Sequence, residues 1–309
     1  MYNFNVNIES FLSKRARIID RELKKFINNI DFGQPKLIEA MLYSINAGGK
    51  RIRPVLATAA YEIFKPDFRR ILPAACSLEM IHTYSLIHDD LPAMDDDNFR
   101  RGIPTNHKVY GEGLAVLAGD ALLTNAFNVL AMNSKVKGIK PGNVLKAVEI
   151  LSAKAGAGGM AGGQAADLEA EGYPLEKRFS SAGKLLNYIH LHKTADLIQA
   201  GVQIGAVLAD APEKDCRILS NAGRMMGLAF QIVDDVLDVT ADKKKLGKSG
   251  SDARNKKLTY VSMYGIEKSL KKAEELLDRT RKELSLLKRP ASKVKVIEEI
   301  AGYICRRDR

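Results

Sequence analysis

Met80-Ile81-His82-Thr83-Tyr84-Ser85-Leu86-Ile87-His88-Asp89-Asp90-Leu91-Pro92-Ala93-Met94-Asp95-Asp96-Asp97-Asn98-Phe99-Arg100-Arg101-Gly102 joins an apolar half to an acidic half. The apolar half continues a run that opens at Pro73, and Met80, Ile81, Leu86 and Ile87 predict a helix that enters the acidic half. From His88 to Gly102, five carboxylates and two guanidiniums share fifteen residues. On a straight helix Asp89 and Asp95, six residues apart, would face nearly opposite ways. Pro92 cannot continue the hydrogen-bond ladder without a kink. The helix is therefore expected to bend or end there, which lets Asp95 swing back beside Asp89. His82, seven residues before Asp89, falls almost on the same face.

Carboxylates this close repel one another unless a cation sits among them. Oxygen-only ligands suit a hard divalent ion, and Mg²⁺ usually completes its octahedron with water and substrate phosphate. Arg100 and Arg101 offer forked donors matched to phosphate oxygens. The stretch predicts a site that grips a polyphosphate through metal ions; the plain alternative is an acidic, solvated loop. A second cluster, Phe230-Gln231-Ile232-Val233-Asp234-Asp235-Val236-Leu237-Asp238, bears on that choice. Asp234 and Asp238 lie about 40° apart on one helix face, framed by Ile232, Val233, Val236 and Leu237. Carboxylates framed in this way point into a cavity, where they need partners. Metal is the natural one.

Outward from these clusters, apolar residues at helical spacing predict helices over residues 8–27, 35–45, 114–131, 144–151, 180–208, 213–239, 259–286 and 291–303. Gly48-Gly49 ends the second, and Lys50, Arg51 and Arg53 follow, around the start of a helix opened by Pro54. Cations and free backbone N–H groups at such a start suit an anion. Pro141-Gly142-Asn143 predicts a turn, and the glycines between 156 and 163 predict a helix that is interrupted or closely packed. Gln164 and Asp167, just beyond, either line a site or cap that break. Residues 241–257 are charged and glycine-bearing, a mobile loop by composition. No alternating strand stands out. The expected class is all-α, one helical bundle spanning residues 1–309 with no linker long enough to divide it.

The net charge of +11 permits anionic partners. Much of the excess lies late, in Lys243-Lys244-Lys245, Lys256-Lys257, Lys271-Lys272, Lys288-Arg289 and Arg306-Arg307. These charges fall among acidic residues with few aromatics between them, which predicts a solvated face and no nucleic-acid partner. No run is expected to reach the length of a membrane-spanning helix, and the opening residues lack an apolar signal core, so the chain is read as cytoplasmic. Cys76, Cys216 and Cys305 have no metal-ligand spacing and read as reduced, buried thiols. His88, His107, His190 and His192 show no ligand pattern and read as structural.

Together the motifs resemble those of the trans-polyprenyl diphosphate synthases, and within them the bacterial farnesyl diphosphate synthases. The likeness covers nearly the whole chain. It runs through Gly48 to Pro54, Met80 to Gly102, Gly111-Glu112-Gly113, Ala118-Gly119-Asp120, Gly163-Gln164 with Asp167, Lys193-Thr194, Phe230 to Asp238 and Leu246-Gly247-Lys248. The resemblance implies an orthogonal all-α bundle, usually a homodimer, whose central cavity is walled by both aspartate motifs. Asp89, Asp95 and Asp234 would ligate Mg²⁺, three ions per site with Mn²⁺ able to substitute, while Asp90, Asp235 and Asp238 would stand in the second shell. Arg100, Lys193, Thr194, Gln231 and Lys248 would assist in holding the allylic diphosphate, and Lys50, Arg53, His82 and Arg101 the isopentenyl diphosphate. Asp89, Asp95, Asp234, Arg100 and Lys193 form the implied catalytic set.

In this family the side chain five residues before the first aspartate motif often floors the chain pocket. Here it is Tyr84, followed by Ser85, and a bulky ring there favours a fifteen-carbon product. The implied reaction is condensation of isopentenyl diphosphate with dimethylallyl and geranyl diphosphate to give farnesyl diphosphate. Geranylgeranyl diphosphate synthesis is one alternative. A non-catalytic subunit of a heteromeric synthase is another, though such a subunit typically loses aspartates that are complete here.

Overall fold

A computed structural model describes residues 7–172, 181–240 and 257–306. Helices make up nearly all of it: α1 (Ile8–Asn28), α2 (Pro35–Asn46), α3 (Ile52–Glu62), α4 (Leu72–Asp89), α5 (Asn106–Tyr110), α6 (Glu112–Ala131), α7 (Pro141–Ala155) and α8 (Met160–Gly172). After residues 173–180 come α9 (Ala182–Ile189), α10 (Asp196–Leu208) and α11 (Glu213–Thr240), and after 241–256 come α12 (Tyr260–Tyr264), α13 (Ile266–Leu284) and α14 (Ala291–Arg306). The all-α expectation is met.

Local sequence sets the ends. Asn7 caps α1 by accepting from Ser10 N at 3.0 Å, and Gln34 caps α2 by accepting from Leu37 N at 2.7 Å, with Pro35 in the first turn. α1 buries one stripe, Leu12, Ile19, Leu23 and Ile27, as an outer helix should. α3, α4 and α10 instead bury residues all round, which marks them as the central helices. α4 lies against α6, while α10 lies against α3, α7 and α11. Close approach of α11 requires Gly227, where an added Cβ would run into the backbone and side chain of Ala195. Burying α4 and α10 at the centre leaves their polar ends, with that of α11, to gather in one place.

The structure corrects several expectations. Phe99–Arg100 and Ile103–Pro104 pair as β1 and β2 of a short antiparallel hairpin, where no strand was expected. Pro141 opens α7 and does not mark a turn, because its missing N–H costs nothing at a helix start. α3 begins at Ile52, before Pro54. The helix expected over 180–208 holds a π-helical segment, His190–Ala195, and the one over 259–286 breaks at Gly265, whose φ is 80°. Glu112–Lys135 is, by length and composition, apolar enough to cross a membrane, 24 residues at mean hydropathy 1.5. In the fold 39% of its most apolar window is buried, and α6 packs on α4 and α2. Cys76 is a buried free thiol as expected, but Cys216 and Cys305 are only half-buried.

Candidate active site

A cavity of about 890 Å³ opens where these helix ends meet. Asp89, Asp95, Arg100, Lys193, Thr194, Gln231, Asp234, Asp235 and Asp238 line it, as do Lys50, Arg53, His82, Arg101, Tyr84 and Ser85. Two residues singled out in the sequence stand apart. Asp90 does not line the cavity. Lys248, with the rest of 241–256, lies outside the described residues.

The return at Pro92 can be followed bond by bond. α4 ends at Asp89. Leu91 N donates to His88 O at 3.1 Å, Met94 N to Leu91 O at 2.9 Å and Asp96 N to Leu91 O at 3.1 Å. Asp95 N then donates to Asp89 O at 2.9 Å, so the two aspartates are backbone neighbours despite six residues of separation. Burial raises the pKa of Asp89; Lys193 opposes this, and the charge of Asp95 adds to it. Lys257 Nζ lies 2.7 Å from Asp95 Oδ1, with both side chains about nine-tenths buried. Asp90 is turned the other way. Its Oδ1 accepts from Arg100 Nε at 2.6 Å and lies 2.5 Å from Nη2, while Asp97 stands 3.6 Å from the same nitrogen. Burial first, and then Arg100 in the opposite direction, leave the Asp90 carboxyl at a pKa of about 6. Its contact is with Arg100, behind the carboxylates that line the cavity.

From α11 come Asp234, Asp235 and Asp238. Asp235 is 4% exposed and serves as a hub. Its oxygens accept from Gln231 Nε2 at 2.9 Å and from Tyr260 N at 2.6 Å, and His190 Nε2 lies 3.3 Å away. Thr194 Oγ1 donates to Gln231 Oε1 at 2.5 Å. His190, Lys193 and Thr194, spaced i, i+3 and i+4, line the cavity together from the π segment His190–Ala195. Such segments recur at functional sites. Lys193 Nζ reaches Asp167 Oδ2 at 2.5 Å, and although burial pulls its pKa down, Asp167 and then Asp89 carry it above normal. Gln164 also lines the cavity, both amide atoms buried and without a hydrogen-bond partner among the described residues. Of the two readings of Gln164 and Asp167, the cavity wall is the one observed.

The cationic end is built on the turn between α2 and α3. Gly48 and Gly49 have φ of 78° and 137°, and a Cβ on Gly49 would strike the guanidinium of Arg101, which donates to Gly48 O. The β hairpin thereby rests on the turn. The ammonium of Lys50 lies 5.4 Å from the ring centre of Tyr303 on α14. Burial, with Arg53, Arg101, Arg51 and Arg100 around it, drives the His82 pKa well below 6.5, so the ring is a neutral hydrogen-bonding group at pH 7. Tyr84, 9% exposed, meets the edge of His88 at 5.7 Å between ring centres. Ser85 Oγ donates to His82 O at 2.9 Å, so its hydroxyl is engaged within its own helix.

The donor set fits Mg²⁺. It offers carboxylate oxygens from two sides, and the cation already beside Asp95 is a side-chain ammonium. Among the described residues no three His, Cys, Asp or Glu side chains form a ready-made cage, and Mg²⁺ characteristically takes one or two carboxylates plus phosphate and water. Sequence reasoning missed Lys257 and read His190 as structural. The signal for Lys257 was available: it stands two residues before Thr259, whose capping box with Ser262 starts α12 and fixes where the chain enters the cavity.

With this geometry in hand, comparison with known proteins gives the class. The profile of the polyprenyl synthetase family matches residues 34–300, and the chain belongs to that family of prenyltransferases. It is 45% identical over 282 residues to a geranylgeranyl diphosphate synthase of Cyanophora paradoxa, covering 91% of each chain. It is 44% identical over 262 residues to a farnesyl diphosphate synthase of Geobacillus stearothermophilus, covering 84% of this chain and 86% of that one. Among solved structures, a Zymomonas mobilis FPP/GFPP synthase superposes with a TM-score of 0.83 at 33% identity, over 97% of this chain and 99% of the other. A Helicobacter pylori geranyltransferase, complexed with magnesium and isoprenyl diphosphate, gives 0.79 at 32% identity and 98% of both chains.

Proposed function

We propose that the chain is a Mg²⁺-dependent farnesyl diphosphate synthase, condensing isopentenyl diphosphate with dimethylallyl and then geranyl diphosphate. The observation that carries this reading is the pair of carboxylate clusters, one after α4 and one on α11, that line one cavity together with Lys50, Arg53 and Arg101. Asp89, Asp95 and Asp234 would hold Mg²⁺, which supplies charge neutralisation to the departing diphosphate. Lys193, Lys257 and Arg100 draw off further negative charge, with Arg100 fixed in place by Asp90 and Asp97.

The C–O bond of the allylic diphosphate breaks, its electron pair leaving on diphosphate. The alkene of isopentenyl diphosphate, presented by Lys50, Arg53, neutral His82 and Arg101, donates its π pair to the allylic carbon. A proton lost to the departed diphosphate restores a double bond. Apolar side chains in the same lining, among them Met160, Leu168 and Phe230, keep out water that would quench the cation. Comparable identity to a geranylgeranyl and a farnesyl synthase favours a second reading, a twenty-carbon product.

The test is incubation with Mg²⁺, isopentenyl diphosphate and each allylic primer, followed by chain-length analysis. Condensation is expected to stop on chelation and resume with Mg²⁺ or Mn²⁺. No product with any primer would overturn the enzyme reading, and a twenty-carbon main product would favour the second reading.

The proposal includes a homodimer. α6 carries only Glu112 and Asp120 as charges and leaves Val116 and Leu117 exposed at 39% and 54%, a face that a second copy would cover. Light scattering should give twice the chain mass of 34.0 kDa, and Leu117→Glu should shift it toward one; a monomeric wild-type chain would refute it.

A further inference from the structure

Arg51, in the α2–α3 turn, borders the cavity, yet all three of its side-chain nitrogens are engaged by other parts of the protein. Its backbone lies in the left-handed region, φ 50° and ψ 37°, which a side chain with a Cβ adopts only when its surroundings enforce it. The enforcement is visible. Nε donates to Asp20 Oδ1 on α1 at 2.7 Å, Nη1 to Glu79 Oε1 on α4 at 2.6 Å, and Nη2 to Ile45 O in the last turn of α2 at 2.6 Å. The residue is 3% exposed and Glu79 is 1% exposed. Burial alone would lower the Arg51 pKa, yet Glu79 and then Asp20 carry it above normal.

Three helices are thus tied to one planar fork, a geometry that an ammonium could not reproduce. The residues on either side, Lys50 and Arg53, face the cavity. Glu79 also acts on Arg101, where it is the largest counterweight to burial, and it sits one turn before His82 on α4. One buried carboxylate therefore offsets two guanidiniums of the cationic end, Arg51 and Arg101. Buried ion pairs are poor contributors to net stability compared with apolar packing, so simple stabilisation is a weak reason to place one here.

The geometry points to Arg51, locked by Glu79 and Asp20, as the positioning residue that presents Lys50 and Arg53 to the diphosphate of the non-allylic substrate. The inference rests on the prenyltransfer reading above. It predicts a selective effect. In the double variant Arg51→Gly/Glu79→Gln, glycine tolerates the positive φ and Glu79 is not left as an unpaired buried carboxylate. The KM for isopentenyl diphosphate should rise at least tenfold, while the KM for geranyl diphosphate and kcat at saturation stay within about twofold. Arg51→Lys, which keeps the charge but not the fork, should recover only part of the loss.

A folded double variant with an unchanged KM for isopentenyl diphosphate overturns the inference, as does an equal loss in both KM values and kcat, which would mark a general structural role. Should the double variant fail to fold, Asp20→Asn decides instead. Asp20 is 35% exposed, its loss leaves the bonds to Glu79 and Ile45, and the KM should rise two- to fivefold for isopentenyl diphosphate alone; no such rise overturns the inference. A wild-type chain that condenses nothing would remove the parent reading and this inference together, whereas an active wild type with an unaffected variant removes only this one.

Discussion

Asp89→Asn is expected to keep the fold and lose condensation by a factor on the order of 10²–10³, the scale seen when one group that stabilises transition-state charge is removed. Size and hydrogen bonding are nearly conserved, so the change isolates the negative charge. Asp89 is recessed in the cavity, and burial, with Asp95 beside it, raises its pKa. The sign of the linkage follows. A carboxyl whose folded pKa exceeds its unfolded value favours folding in its protonated form, so the ionised group weakens the fold as pH rises through the folded pKa. At neutral pH the neutral amide should therefore melt no lower than wild type, and even slightly higher. Activity and stability would move in opposite directions, as at many strained active sites. Steady-state turnover at saturating substrates, together with a thermal melt, checks both halves. A near-normal rate would remove Asp89 from the proposed metal set.

Tyr84→Ala should lengthen the main product beyond fifteen carbons. The ring lines the cavity, is 9% exposed and stands edge-on to His88. Its hydroxyl is pushed up to about 12 by burial, with the charge of Asp89 adding to it, so it stays neutral and meets the growing chain as a flat, uncharged wall. Removing it opens space directly below the first aspartate cluster. Because one side of the ring borders the cavity, the stability loss should fall below the ~3–5 kcal/mol typical of a packed aromatic residue. Chromatography of the dephosphorylated products reads the outcome. An unchanged product distribution would mean that Tyr84 is not the floor, and attention would pass to His88, whose ring hydrogen-bonds Val116 O at 3.0 Å and fills the space beside Gly119.

What the sequence made legible follows from how the information is stored. Helix positions were readable because burying one stripe of α1, or every side of α4, leaves a periodic apolar signal. The return of Asp95 to Asp89 was readable because proline and helix geometry permit few other outcomes. The assignment of cations to two diphosphates came from family resemblance; periodicity alone would have left Lys193 and Gln231 as ordinary polar residues. The π segment was hidden because one extra residue per turn leaves no compositional mark. Asp89 and Asp90 look alike in sequence, while about 100° of rotation sends one to the cavity and the other to Arg100. Lys257 was hidden by distance, since 162 residues separate it from the carboxylate it meets.

That last contact has a consequence for how the protein assembles its chemistry. A carboxylate cluster that lacks a counter-ion would spring apart, and folding would then depend on metal, as it does in many small metalloproteins. Here Lys257 brings a tethered cation to Asp95, while Asp235 fastens Tyr260, three residues on, to α11. The chain thus carries its own electrostatic placeholder at Asp95. Metal entering alone must compete with that ammonium. Metal entering with a diphosphate does not, because phosphate oxygens give the lysine somewhere else to go. Magnesium and substrate should accordingly bind as one coupled event, each weak without the other.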